Sequence, residues 1–197
     1  LADFAGFKAE VSAITERAMR GELDFAAALR TRVALLKGLD LSALQACYSQ
    51  RVTLNPGAKA LVATMKAHGA RAVLVSGGFG YFTSRVAKMA GFDADRANTL
   101  IDDGVALTGA VGMPILGREA KLTALLEETA ALGLTADDAV ALGVGANDLD
   151  MIKAAGLGIA YHAKPIVAAQ TTARIQYTDL RAALFFQGYA VGDLVSA

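Results

Sequence analysis

Hydrophobic positions fall into two regimes along the chain. Up to about residue 53 they recur at helical spacing. Phe25, Leu29, Arg32 and Leu36 lie at i, i+4, i+7 and i+11 and share one face, while Val11, Ile14 and Ala18 give an earlier segment a similar stripe. Gly21 and Gly38 are natural stops, so residues 1–53 are predicted to form a small helical bundle. From Asn55 the pattern changes to short apolar runs bounded by Gly. Asn55 is a candidate helix cap with Pro56 in the first turn, where its missing N–H costs nothing. The run Ala72-Val73-Leu74-Val75 has the length and flanks of a buried parallel strand, and a helix is predicted over 81–90.

Residues 97–116 place Asp103-Gly104 and Thr108-Gly109 between apolar segments, which predicts a β-hairpin. A helix follows over 118–132, then a second buried run, Ala139-Val140-Ala141-Leu142. Further elements are a helix near 149–155, a strand over 157–160, a short helix near Ile166, a strand over 174–177 and a last helix from Asp179. Alternation of this kind predicts an α/β fold, a doubly wound, Rossmann-like parallel sheet over residues 54–197 carrying the bundle of residues 1–53 as a helical cap.

Composition narrows the partners. Nineteen basic and nineteen acidic residues leave no net charge, so no global field recruits nucleic acid or an anionic membrane, and any anion site must be local. Every apolar run is broken well before a bilayer-spanning length, so no transmembrane helix is expected. The single cysteine, Cys47, excludes an intrachain disulfide and suggests a reducing, cytoplasmic setting; a buried structural role is its expected use. The first residue is Leu1, with no basic segment leading into an apolar stretch, so no signal peptide is expected and the natural chain is read as starting upstream.

Two predicted strands run into Gly-rich turns, and ligands of open α/β sheets bind at the carboxyl ends of strands. In Ser76-Gly77-Gly78-Phe79 the Ser hydroxyl and backbone N–H groups can face an anion at a helix start; the same residues also suit an ordinary strand-to-helix turn. In Gly143-Val144-Gly145-Ala146-Asn147-Asp148 an Asp stands where a dinucleotide fingerprint needs its third Gly, which disfavours a nucleotide cofactor. The Asn147-Asp148 pair is suited to holding a cation or a lysine, or to capping the next helix. Lys121 opens the 118–132 helix, where its charge opposes the helix dipole, so it needs either full solvation or a partner.

The order of Ser76, Lys121 and Asp148 resembles that of the phosphoserine phosphatases of the haloacid dehalogenase superfamily. Residues 18–25 and 29–38 are similar to that family's helical cap, Ser76-Gly77-Gly78-Phe79 to its second motif, Lys121 to the third, residues 143–151 to the fourth and residues 160–165 to the segment after it. The likeness spans roughly residues 1–188. It implies hydrolysis of O-phospho-L-serine, a small phosphorylated amino acid and the last intermediate of serine biosynthesis, through an aspartyl-phosphate with Mg²⁺. By that resemblance Ser76 and Gly77 hold the phosphate, Lys121 neutralises it, Asn147 contacts it, and Asp148 orients Lys121 and metal-bound water. Arg32 takes the substrate carboxylate from the cap, Met19 and Phe25 wall the cleft, and a homodimer is compatible with the pattern.

Two positions depart from the family. Its first motif, Asp-x-Asp-x-Thr, which carries the nucleophile and the acid/base, has no counterpart in residues 1–197. Asp93-Ala94-Asp95 leads into Arg96-Ala97, and Asp148-Leu149-Asp150 belongs to the fourth motif. The family's substrate-gripping Glu just beyond that motif is missing too. Val144 stands where the family has its Mg²⁺-binding Asp, so metal binding is expected to be impaired and no intact metal site is predicted. His68 and His162, isolated in the sequence, are expected to serve packing or solvent. The two function readings are therefore a phosphoserine phosphatase inactive as residues 1–197 alone, and a catalytically silent phosphate-binding or interaction protein on the same scaffold.

Overall fold

The structure, a computed structural model, describes residues 1–19 and 22–195. The expected stop at Gly21 and the Met19 side chain lie outside the described residues. Three helices fill the first zone: α1 (Lys8–Met19), α2 (Phe25–Ala34) and α3 (Leu41–Arg51). Asp24 caps α2 by accepting from the Ala27 N–H at 2.7 Å, and Asp40 caps α3 through Ser42 N–H at 2.7 Å. Gly38 has φ +79 in the turn between them. Ile14, Leu29 and Leu36 of the predicted stripes are buried, as is Cys47.

The second zone holds α4 (Ala58–Ala67), β1 (Val73–Phe79), α5 (Gly80–Ala90), β2 (Ala94–Asn98), the hairpin β3 (Leu100–Asp102) and β4 (Leu107–Val111), then α6 (Arg118–Ala131) and β5 (Val140–Gly143). It ends with α7 (Leu149–Ala154), β6 (Leu157–Tyr161), α8 (Pro165–Ala168), β7 (Ala173–Ile175) and α9 (Ala182–Phe185). Helix α4 starts later than Asn55 predicts, with Gly57 as its cap at φ +80. Its surroundings explain this: Leu180 N–H donates to Pro56 C=O at 3.1 Å, and a Cβ on Gly57 would lie 2.7 Å from the Asp179 carboxylate. No helix among the described residues is long and apolar enough to cross a membrane.

All ladders outside the hairpin are parallel, and they form two pieces, β1–β2 and β5–β6–β7. Among the described residues β1 pairs only with β2, and β5 only with β6. Every residue of β1 is accordingly half-buried, where the apolar run predicts a fully buried strand. Helices cover both faces of the three-stranded piece. Ile159 packs with Ile175, Ala183 and Leu61 on one side, while its neighbour Ala160 packs with Leu149, Ile152 and Val167 on the other, as the two-residue period of a strand requires. Helix α3 and the turn that joins it to α2 share a core with the hairpin: Leu36, Leu44 and Leu107 form one cluster, joined by Tyr81 and Phe82 of α5. The hairpin also takes up the link between α2 and α3, with Leu107 N–H donating to Leu39 C=O at 2.9 Å and Gly38 N–H to Leu107 C=O at 2.8 Å.

Strand β2 is absent from the sequence prediction. Ala94-Asp95-Arg96-Ala97-Asn98 has no apolar run, and its polar side chains are satisfied one by one through tertiary partners. Asp95 accepts from Thr83 at 2.5 Å, and Arg96 binds Glu127 and Glu128 of α6. Glu128 also takes Arg71 at 2.7 Å, so one carboxylate ties α6 to both the approach to β1 and to β2.

Two outcomes follow for stability. The Glu128 carboxyl is held below its usual range by hydrogen bonds from Arg71 and then Arg96, against a smaller opposing effect of burial. A depressed carboxyl stabilises the fold above its unfolded pKa, about 4.3, and that contribution fades as pH falls through the lower folded value. Glu128→Gln is expected to cost about 1 kcal/mol at pH 7, with the difference from the parent vanishing in acid; urea unfolding at several pH values measures it. At Gly158, an added Cβ would lie 2.0 Å from the Ile152 carbonyl, so Gly158→Ala must push β6 off α7. A loss of about 1–3 kcal/mol is expected from the urea midpoint.

Candidate active site

The carboxyl end of β5 turns sharply into α7, and Asp148 is the residue around which it turns. A Cβ on Gly143 would lie 2.3 Å from the Asp148 Cβ, which is why Gly is required there. One oxygen of Asp148, Oδ2, accepts from Val144 N–H and Gly145 N–H, each at 2.9 Å. The other, Oδ1, binds the ammonium group of Lys121. Both side chains are buried, at 9% and 6% exposure for Lys121 and Asp148. Burial pushes the Asp148 carboxyl upward, but the Lys121 hydrogen bond, the Gly145 N–H, the Lys121 charge and the Val144 N–H together outweigh it and hold the group below its usual range. The unfavourable place of Lys121 at the start of α6 thus has its reason in Asp148. The pair leaves the ammonium two further donors in a water-poor setting.

The β1 side of the site differs in detail from the predicted strand-to-helix turn. The ladder with β2 runs from Val73↔Ala94 to Val75↔Arg96 and resumes at Phe79↔Asn98, so Ser76, Gly77 and Gly78 stand opposite the single residue Ala97. These three residues bulge out of the strand, and the helix starts only at Gly80. Ser76 Oγ accepts from Gly78 N–H at 3.0 Å. Helix α6, which carries Lys121, packs against β1.

Asn98, which sequence reasoning missed, fastens this bulge to the loop before α6. Its side chain donates to Gly77 C=O at 3.0 Å and to Leu116 C=O at 3.2 Å, and accepts from Leu116 N–H at 2.7 Å. It is fully buried. An Asn at the end of a polar five-residue stretch offers no periodic signal by which it could have been singled out.

From the bundle, Phe25 reaches the same place. Its ring lies where a Cβ on Gly77 would meet it at 3.3 Å and a Cβ on Gly117 at 3.2 Å, so both glycines make room for it. Arg32, two turns further along α2, is half-buried; Nε donates to Ala28 C=O at 3.2 Å and Nη1 to Thr15 at 3.4 Å. No carboxylate of the described residues lies within ion-pair distance of Arg32, and burial lowers its pKa. Asn147 is half-buried beside Gly145, where a Cβ would meet its Oδ1 at 2.6 Å. No hydrogen bond joins Arg32 or Asn147 to Ser76, Lys121 or Asp148 among the described residues. The His162 ring donates from Nε2 to Thr178 C=O and the His68 ring from Nδ1 to Thr64 C=O, each at 2.9 Å, and the two rings pack on Tyr161 and Tyr189.

The donor set does not fit Mg²⁺. The Val144 side chain is 48% exposed and offers no oxygen, while both oxygens of Asp148 are already engaged. No group of three or more His, Cys, Asp or Glu among the described residues could hold a metal ion.

Residues 2–153 match the family of haloacid dehalogenase-like hydrolases. The phosphoserine phosphatase of Polaromonas sp. strain JS666 is 48% identical over 180 residues, covering 89% of this chain and 76% of the relative. Among solved structures, a HAD family hydrolase from Salmonella enterica serovar Typhi superposes with TM-score 0.88 at 35% identity over 93% of this chain, which spans 63% of that protein, under two thirds of its length. A phospho-aspartyl intermediate analogue of phosphoserine phosphatase superposes with TM-score 0.85 at 38% identity, covering 94% of this chain and 88% of that one. The chain therefore belongs to the haloacid dehalogenase-like hydrolases and groups there with the phosphoserine phosphatases.

Proposed function

We propose that this site binds the phosphate of O-phospho-L-serine and serves the hydrolysis of that phosphomonoester to L-serine and phosphate. The observation that carries the reading is the buried Lys121–Asp148 pair at the end of β5, with Lys121 on a helix packed against β1, the strand that carries the Ser76–Gly78 bulge. An ammonium whose position is fixed by a carboxylate can spend its remaining donors on phosphate oxygens, and its charge counts for more where water is scarce. Ser76 Oγ and the Gly77 N–H hold the phosphate, and Asn147 contacts it from the β5 turn. The half-buried guanidinium of Arg32, without a carboxylate partner among the described residues, takes the serine carboxylate, and residues 1–53 act as the cap over the site.

Catalysis needs more than these residues. By the resemblance, the attacking carboxylate belongs to an Asp-x-Asp-x-Thr segment that residues 1–197 do not contain, and Asp148 cannot replace it because both of its oxygens are engaged. Val144 further removes an oxygen from the position where the family binds Mg²⁺. The residues described therefore supply the phosphate-holding half of a phosphatase site. The second reading, a phosphate-binding protein without turnover, is favoured by Val144 alone.

Two tests bear on the reading. Calorimetric titration with inorganic phosphate should show binding, weakened at least tenfold in Lys121→Met. Asp148→Ala should weaken binding too and also destabilise the fold by about 3–5 kcal/mol, because it strands a buried ammonium. Phosphate binding unaffected by Lys121→Met would remove Lys121 from the site. For hydrolysis, residues 1–197 are expected to release no phosphate from O-phospho-L-serine above background with Mg²⁺, and Val144→Asp should tighten Mg²⁺ without restoring turnover, since parts of one catalytic unit are strongly non-additive. Brisk Mg²⁺-dependent release by the parent would reveal a nucleophile within these residues.

A further inference from the structure

We infer that Asn98 is a positioning residue for the anion site: it sets the Ser76–Gly78 bulge and the start of the Lys121 helix in one fixed relation. The inference rests on the proposed phosphate site and adds a residue to it.

Four observations carry it. Asn98 is 0% exposed, so each of its polar groups must find a partner within the protein or cost the fold dearly. Its two N–H groups go to two different segments, Gly77 C=O at 3.0 Å and Leu116 C=O at 3.2 Å, and its oxygen takes Leu116 N–H at 2.7 Å. Gly77 belongs to the bulge, whereas Leu116 directly precedes Gly117, the cap of α6, four residues before Lys121. Phe25 rests on both Gly77 and Gly117, so the bundle side chain is seated on the two segments that Asn98 joins.

The bulge needs such a fastener. Its three residues have left the regular β1–β2 ladder, and a free loop of Ser-Gly-Gly would sample many conformations. Holding the Gly77 carbonyl from the side fixes the peptide plane between Gly77 and Gly78, whose N–H donates to Ser76 Oγ, and so fixes the place of that hydroxyl in the bulge. The same amide, holding Leu116 at both its N–H and C=O, fixes where α6 begins. Preorganisation of this kind lowers the cost of closing around an anion without any contact between Asn98 and the anion. No other side chain among the described residues bridges these two segments by hydrogen bonds, and the role calls for a group that donates twice and accepts once in one plane. Asn has that inventory at this length, while Asp and Leu do not.

The test separates positioning from simple packing. Asn98→Asp keeps the shape and the acceptor for Leu116 N–H but loses both donors; Asn98→Leu keeps volume and loses all three bonds. Each variant is titrated with inorganic phosphate beside the parent and Lys121→Met, with urea unfolding to establish that it folds. Both folded variants are expected to bind phosphate at least tenfold more weakly, and hydrogen exchange at the Leu116 amide should stay slow in Asn98→Asp but quicken in Asn98→Leu. A folded variant that binds phosphate within threefold of the parent overturns the assignment. Should neither variant fold, the parent decides: phosphate should slow exchange at the Leu116 amide severalfold more than at amides in the last turn of α6, and equal slowing overturns the inference. A parent that shows no Lys121-dependent phosphate binding overturns the anion-site reading and this inference together, whereas loss confined to the Asn98 assignment leaves that reading standing.

Discussion

A lysine and an aspartate taken out of water together impose more on this fold than any other contact. Lys121 sits in the first turn of α6, where the helix dipole opposes it, and Asp148 sits where β5 must reverse into α7. Desolvating two charges is expensive, and their attraction offsets that cost only when geometry and the remaining hydrogen bonds are right. Asp148 meets the condition by giving one oxygen to Lys121 and the other to two backbone N–H groups of its own turn. The turn in turn requires Gly143, because no side chain fits over the Asp148 carboxylate. One ion pair thus dictates the path of the chain after β5 and the seat of α6.

Among the described residues no ladder joins the two parallel pieces of sheet; α4, through Leu61 and the Lys66–Asp93 pair, bridges them, and so does α6. Its N-terminal turn reaches Asp148 beside β5, and its last half reaches β2 and Arg71 through Glu127 and Glu128. Asn98 adds a third tie, from β2 to the loop in front of the helix. These contacts are polar and directional, which suits them to fix the relation of two pieces of sheet that no ladder joins among the described residues.

The apolar runs made most of the strands legible, since Val73–Val75, Val140–Leu142 and Leu157–Ala160 are short, bounded by Gly and packed between helices. What the runs could not disclose was β2, whose Asp95, Arg96 and Asn98 are satisfied only by residues distant in sequence. The site was legible in the same uneven way. Ser76, Lys121 and Asp148 stand in a recognisable order, and their local turns carry the necessary glycines. Asn98 stayed hidden because its role is defined by two segments, 18 and 21 residues away, that no local pattern brings together. The start of α4 was misjudged for a related reason: Asn55 and Pro56 form a good local signal, but the contact with residues 179–181 moves the cap to Gly57.

Val144 shows how separable the scaffold is from the metal chemistry. Its contribution to the turn comes through its backbone, the N–H donating to Asp148 and the C=O accepting from Lys164 N–H at 3.3 Å. Val144 is about half exposed, and the hydrogen bonds by which it shapes the turn come from its backbone, whatever side chain stands there. On the proposed reading, phosphate affinity answers to Lys121, Asp148 and the bulge, while cation affinity answers to the side chain at position 144. A chain can therefore lose the second property and keep the first, because position 144 reaches Asp148 through its backbone N–H, which any residue but proline supplies.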